Sequence, residues 1–342
     1  MNDRDNLVEV KNLRKFFLRT KGFTKRVIGL VKAVDGINFC LKEGETFSLV
    51  GESGCGKTTT GRCMLRAIEP TSGEIYFKGY NNAEPVDIMS LDKDQLKEMR
   101  KQMRMVFQDP HSSLNPRMTI LQIVGEPFVI HKVVKQRQEL EDKVADLLRS
   151  VGLDPEYMKR YPHAFSGGQR QRIAIARALA LQPRLIVCDE PVSALDVSVQ
   201  AQILNLLEEL QEKFGLTYLF VAHNLAVVEH VSDRVAVMYV GKIVELSDND
   251  TVFFNPQHPY TEALLSAVPK TNPKYRRERK VLKGEPADPA NPPTGCYFHP
   301  RCDYVQDICR HEEPPLIDVA QNESQPHFVA CHFADKLQLV GV

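Results

Sequence analysis

Short apolar runs alternate along this chain with amphipathic stretches. Thr46 to Val50 (TFSLV), Leu185 to Cys188 (LIVC) and Thr217 to Ala222 read as strands with few polar side chains. Runs of that kind suit parallel strands buried on both faces. Leu7 to Val10, Ala33 to Leu41, Gly73 to Lys78 and Met103 to Phe107 are further strands, and Ser232 to Leu246 is a strand pair turning at Gly241. The helices are Thr59 to Ile68, with Pro70 and Gly73 beyond its end, Asp94 to Gln102, several within residues 119–160, Arg170 to Leu181, and Val199 to Phe214, closed by Gly215. Val144, Leu147, Leu148 and Val151 fall at helical spacing. Strands alternating with helices predict an α/β fold.

Composition narrows the class. The 342 residues suffice for one large domain with an appendage, or for two domains. Acidic and basic residues balance at 44 each, so net charge gives no case for a nucleic-acid partner. No apolar run approaches the roughly 18 residues of a membrane span, and the polar, acidic start (MNDRDNLVEV) is not a secretory signal. The expected compartment is therefore the cytoplasm, where cysteines stay reduced or bind metal. Lys11 to Lys32 carries eight basic residues and no acidic one. It reads as a solvated loop or, alternatively, as a segment lying near anionic lipid headgroups. Phe16 and Phe17 within it are core residues or a surface on which a nucleotide base stacks.

Gly51 to Thr58 (GESGCGKT) fits G-x-x-x-x-G-K-[ST], and it lies between a predicted strand and a predicted helix. Glycines let the backbone curl so that its N–H groups face an anion, and the helix N-terminus adds positive potential. Lys57 would reach the outer phosphates of a nucleotide, and the Thr58 hydroxyl would bind Mg²⁺. Other predicted strands end at polar residues: Gln108, Asp189-Glu190 and His223. In open α/β sheets ligands bind beyond the C-terminal strand ends, so these groups are expected to converge on one nucleotide.

These residues, with Ser166-Gly167-Gly168-Gln169 before a helix and Ser193-Ala194-Leu195-Asp196 after Glu190, stand in the order of the ATP-binding cassette (ABC) transporter ATPases, which residues 7–250 resemble. The resemblance implies a RecA-like core with a mainly parallel sheet, an antiparallel β subdomain and an α-helical subdomain at about residues 110–180. It implies ATP held by Phe17, Gly51, Ser53, Gly54, Cys55, Gly56, Lys57, Thr58 and Thr59. Mg²⁺ would be served by Thr58, Gln108 and Asp189. Glu190 would act as general base, Gln108 would contact the attacking water, and His223 would contact the γ-phosphate. Ser166, Gly167, Gly168 and Gln169 would complete the site of a partner subunit, with Asp196 at the dimer interface. Phe165 stands where the family more often has Leu.

The Asp189 to Ser198 run, the Asn255 to Thr261 stretch and the remainder of the chain resemble the second ATPase subunit of dipeptide/oligopeptide importers. Those pair two different, homologous ATPases beneath two membrane permeases, fed by an external binding protein. A peripheral place on the cytoplasmic face of the membrane follows from the resemblance. Related importers of nickel, glutathione or sugar are the alternative, and a soluble non-transport ABC ATPase is a more distant one.

Residues 251–342 change character. Pro286 to Pro293 is an extended segment, and Cys296, Cys302, Cys309 and Cys331 follow with the spacing C-x5-C-x6-C-x21-C. This is neither the paired C-x2-C of a zinc ribbon nor a ferredoxin run, although soft thiolates still point to zinc or an iron–sulfur cluster. The importer resemblance favours a 4Fe-4S cluster on these four residues, with zinc as the alternative, in a small, loop-rich, metal-binding tail. Lys270 to Lys283 is a second basic stretch, read as a solvated linker or as a contact for lipid headgroups or a permease loop.

Overall fold

The computed structural model describes residues 6–21, 26–79, 84–109, 113–267, 282–320 and 325–342. Pro110, His111 and Ser112, and residues 270–281 of the second basic stretch, lie outside them. The chain divides into two compact units, one of residues 1–90 and 221–342, the other of residues 91–220.

The first unit begins with β1 (Asn6–Lys21) and β2 (Arg26–Lys42), a long antiparallel hairpin. The loop expected over residues 11–32 is overturned here. Its described part is strand, with Phe16 opposite Lys32 and Phe17 opposite Val31. The hairpin buries Val10, Leu13 and Val34 completely or nearly so while Lys11 and Arg14 stay exposed. β1 is an interior strand, paired by β2 on one side and by the later strand Ser72–Lys78 on the other, so its basic side chains stand on the open face of the sheet rather than on an edge. β3 (Thr46–Val50) is buried throughout and leads to α1 (Lys57–Met64). This helix stops four residues before the expected Ile68, and Arg66 beyond it takes a left-handed φ of 48°. β4 (Ser72–Lys78) and β5 (Pro85–Asp87) complete a four-stranded antiparallel sheet in the order β2-β1-β4-β5.

The second unit holds α2 (Lys93–Met99), β6 (Met103–Val106), α3 (Ile120–Ile130), α4 (Arg137–Ser150), α5 (Gly167–Leu179), β7 (Leu185–Asp189), α6 (Val197–Phe214) and β8 (Thr217–Val221), whose last residue falls at the boundary. Its strands run in the order β8-β7-β6, and β6 and β7 are parallel. Capping boxes open α2 at Asp92 and Gln95 and α3 at Thr119 and Gln122. Each satisfies orphan N–H groups at a helix start. α3, α4 and α5 pack on one another, and Ile120, Val124, Val144, Leu148 and Ile173 on these helices are fully buried. Gly215 closes α6 in a left-handed conformation, φ 64°.

The first unit resumes with α7 (Leu225–Val231), β9 (Arg234–Tyr239), β10 (Lys242–Asp248), α8 (Asn249–Phe254), α9 (Pro259–Ser266), α10 (Ile308–His311), β11 (Ile317–Asp318) and β12 (Phe328–Val329). Within this unit the second sheet runs β11-β12-β10-β9-β3. Only the β3–β9 ladder is parallel, because β9 and β10 form a hairpin at Gly241 and the C-terminal strands add antiparallel to β10. The sheet of this unit is thus mixed rather than mainly parallel.

A buried carboxylate joins the C-terminal region to that sheet. Glu245 is fully buried and accepts the N–H groups of Gln257 (2.6 Å) and His258 (3.0 Å) and meets His327 Nε2 at 2.7 Å. A buried carboxylate is tolerable only when hydrogen-bonded in this way. His258 Nδ1 in turn accepts the N–H of Tyr260 and caps α9, with Pro259 in its first turn. The Asn255 to Thr261 stretch therefore has a structural explanation in this chain.

Candidate nucleotide site

The Gly51–Thr58 loop joins β3 to α1. Its glycines are forced by close backbone approach. Gly51 has φ 147° and a Cβ there would lie 2.2 Å from the Met238 carbonyl oxygen. Gly56 has φ 112° and a Cβ would lie 2.1 Å from the Ala33 carbonyl oxygen. Backbone atoms cannot yield by that much. Lys57 is only 4% exposed, and its Nζ donates to the carbonyls of Gly51 (2.8 Å) and Glu52 (2.9 Å). The ammonium thus lies across the loop at the start of α1, where an anion would sit. Thr58 and Thr59 are half-buried in the first turn, Ser53 and Gly54 are exposed, and burial pushes the Cys55 thiol up. Phe17 is 39% exposed, with Lys15 Nζ 4.9 Å from its ring centre, so the core alternative does not hold for it. His223 is exposed just after β8.

In the second unit Asp189 ends β7 with 1% exposure. Glu190 follows in a left-handed conformation, φ 47°, and its Oε2 accepts Gln108 Nε2 at 2.8 Å. A non-glycine residue held there costs about 1 kcal/mol or more, and such outliers gather at functional sites. The structure thus brings Gln108 and Glu190, 82 residues apart, into direct contact.

Ser166 N-caps α5, accepting the N–H of Gln169 at 3.3 Å, while the Gln169 side chain accepts the Ser166 N–H at 3.1 Å. The helix starts at Gly167, three residues earlier than expected. A Cβ on Gly168 would lie 2.4 Å from Val199 Cγ1, and one on Gly167 would lie 3.3 Å from Leu195 Cδ2. Asp196 N-caps α6, accepting the Val199 N–H and the Ser198 hydroxyl, and these bonds hold its carboxyl below the usual range.

Cys296, Cys302, Cys309 and Cys331 line one small cavity, together with His258, His299 and His332. Burial, followed at a distance by the neighbouring thiols, pushes Cys302 up to about 12 and Cys331 up to about 11. Among the described residues no group of three or more His, Cys, Asp or Glu is placed to hold a metal ion. The expected metal-binding character of the tail is therefore not established by the geometry.

Two residues that sequence reasoning passed over touch the phosphate loop. The Tyr260 hydroxyl accepts the Glu52 N–H at 2.9 Å, and Arg301 pairs with the Glu52 carboxylate. A charged residue inside the loop and a tyrosine in the Asn255 to Thr261 stretch were the available signals.

A glycine-cornered loop between a buried strand and a helix, with its lysine at the helix start, defines a phosphate-loop nucleotide-binding protein. The family model described as ABC transporter matches residues 34–193, and the one described as oligopeptide/dipeptide transporter, C-terminal region, matches residues 244–309. The oligopeptide transport ATP-binding protein AppF of Bacillus subtilis is 54% identical over 96% of this chain and 98% of its own length. The dipeptide transport ATP-binding protein DppF of Haemophilus influenzae is 47% identical over 96% of this chain and 97% of its own. A solved structure of the ATP-binding cassette MJ0796, a dimer in a post-hydrolysis state with ADP and Pi, is 30% identical with a TM-score of 0.61, covering 71% of this chain and 98% of that one. The chain belongs to the ATP-binding proteins of ABC transporters, in their oligopeptide/dipeptide branch. Among the described residues no helix is long and apolar enough to cross a membrane.

Proposed function

We propose that this chain hydrolyses ATP to drive import of dipeptides or oligopeptides, and that Glu190 is the general base. The observation that carries the assignment is the Gln108–Glu190 contact at the end of a buried strand, with Glu190 in a strained backbone conformation. A base needs hydrogen-bond reach to the water it activates, and a side-chain amide that holds the carboxylate and can itself bind water orients both. Gly51, Ser53, Gly54, Cys55, Gly56, Lys57, Thr58 and Thr59 would bind the nucleotide's phosphates, and Phe17 would stack on its base. The Thr58 hydroxyl and the buried Asp189 carboxylate suit a hard cation, and Mg²⁺ would supply charge neutralisation on the phosphates. His223 would contact the γ-phosphate. The test is Glu190→Gln. We expect ATP turnover to fall about 100-fold or more, with nucleotide binding retained; undiminished turnover would remove Glu190 as the base.

Ser166 to Gln169 would complete the site of a second, homologous ATPase subunit, with Asp196 at that interface. The exposure of Ser166 at a helix start supports this use. The pair would work beneath two permeases on the cytoplasmic face of the membrane, with an external binding protein delivering the peptide. Copurification with two hydrophobic permeases and a second ATPase is the expected result, and recovery only of a homodimer would overturn the heterodimer.

The four tail cysteines would hold a 4Fe-4S cluster. Their convergence on one cavity supports this. When bound, such a cluster supplies a cross-link between loops and a site for one electron. The chain's own contribution is one buried thiol, Cys309, three half-buried ones, and a shell that includes Phe298, Tyr304 and Phe333. Protein purified without oxygen should contain about four irons and four sulfides per chain. Stoichiometric zinc or no metal would reject the cluster, and Cys296→Ser should release the metal.

A further inference from the structure

The C-terminal region grips the phosphate loop at one residue. Arg301 is 7% exposed, and its guanidinium donates to both Glu52 carboxylate oxygens, Nη1 to Oε2 at 2.6 Å and Nη2 to Oε1 at 3.0 Å. Its Nε donates to the Lys283 carbonyl at 3.2 Å, and its plane lies 5.9 Å from the Tyr239 ring centre. The main-chain N–H of Glu52 donates to the Tyr260 hydroxyl at 2.9 Å. Tyr260 is packed in turn by Tyr239 at 4.7 Å and Phe298 at 5.4 Å between ring centres. Glu52 is thus held by side chain and backbone from the same region. Its carbonyl also accepts the Lys57 ammonium, the group expected to meet the phosphates.

We propose that Arg301 is a positioning residue for the phosphate loop, so that the C-terminal region sets ATP affinity within its own chain. The physical case has two parts. Glu52 puts a negative charge in a loop that must receive a polyanion, and a two-point guanidinium partner neutralises it in fixed geometry. Loss of that partner leaves a carboxylate free to repel the phosphates and to draw Lys57 toward itself. The pairing also fixes the loop in the conformation seen here, which lowers the ordering cost of binding. Arg301 immediately precedes Cys302, one of the residues that line the four-cysteine cavity.

This rests on the phosphate-loop reading, and the experiment separates the two. Mg-ADP binding is titrated by calorimetry for the full chain and for Lys57→Ala, Arg301→Gln and the double variant Glu52→Gln/Arg301→Gln, each checked for a cooperative melt. If Lys57→Ala binds as tightly as the wild type, the loop reading fails, and the clamp with it. With the loop reading intact, we expect Arg301→Gln to raise Kd about tenfold and the double variant to return to within about threefold of the wild type, as a neutralised charge pair should. Arg301→Gln binding as the wild type overturns the proposal. So does a double variant as weak as Arg301→Gln, since a merely structural arginine would not be rescued by removing Glu52's charge. Should Arg301→Gln not fold, Arg301→Lys carries the test: it keeps the charge and loses the two-point contact, and an unchanged Kd for it overturns the proposal.

Discussion

Two glycine-rich stretches open helices in this chain, and they are built on different physics. In the Gly51–Thr58 loop the glycines carry positive φ, and at two of them a side chain would collide with main-chain oxygens near 2 Å. At Ser166–Gln169 the glycines have ordinary helical geometry, and the turn is an N-terminal capping box whose tightest neighbour is the Val199 side chain. The first stretch is shaped so that the backbone curls at the start of α1, where a helix N-terminus favours an anion. In the second, the Gln169 N–H is satisfied by Ser166 and the glycines let α6 approach. A Ser-Gly-Gly-Gln motif therefore has a complete structural role in this chain besides any part it plays toward a partner's nucleotide.

Substitutions set the two stretches apart. Gly56→Ala is expected to be the most damaging, since it adds left-handed strain to a backbone clash. A loss of about 3–5 kcal/mol in denaturant unfolding is the expected size. Gly168→Ala should cost about 1–3 kcal/mol through the stiff Val199, and Gly167→Ala less than 1 kcal/mol, because Leu195 can move a few tenths of an ångström. Equal costs for the two would sink the packing account of the motif. Gly54→Ala, with φ 80° but open space around its Cβ, isolates the backbone cost, and a loss of about 1 kcal/mol should appear in denaturant unfolding. Ser166→Ala should lose about 1 kcal/mol of helix capping. Ser166→Asn keeps the cap, so its stability should match the wild type. A drop in ATP turnover in that variant at unchanged stability would then report on the partner's site alone.

Local demands were the legible part of this molecule. The phosphate loop, the Gly215 stop, the Gly241 hairpin and the buried run of β7 are all written in consecutive residues. Each is a backbone requirement that only a few side chains satisfy. The loop expected over Lys11 to Lys32 failed because the basic residues there masked the strand that buries Leu13, and α5 starts earlier than expected because its first turn consists of glycines and a cap.

By itself the sequence determined the family, the nucleotide-binding loop and the order of elements, because motif spacing and apolar period are properties of neighbouring residues. Tertiary structure alone decided that Gln108 meets Glu190, that four cysteines spread over 36 positions line one cavity, and that β12 joins the sheet beside β10. It alone decided that Arg301 closes on Glu52 from 249 residues away. Such pairings depend on strand register and on how buried charges find partners, which no local pattern encodes.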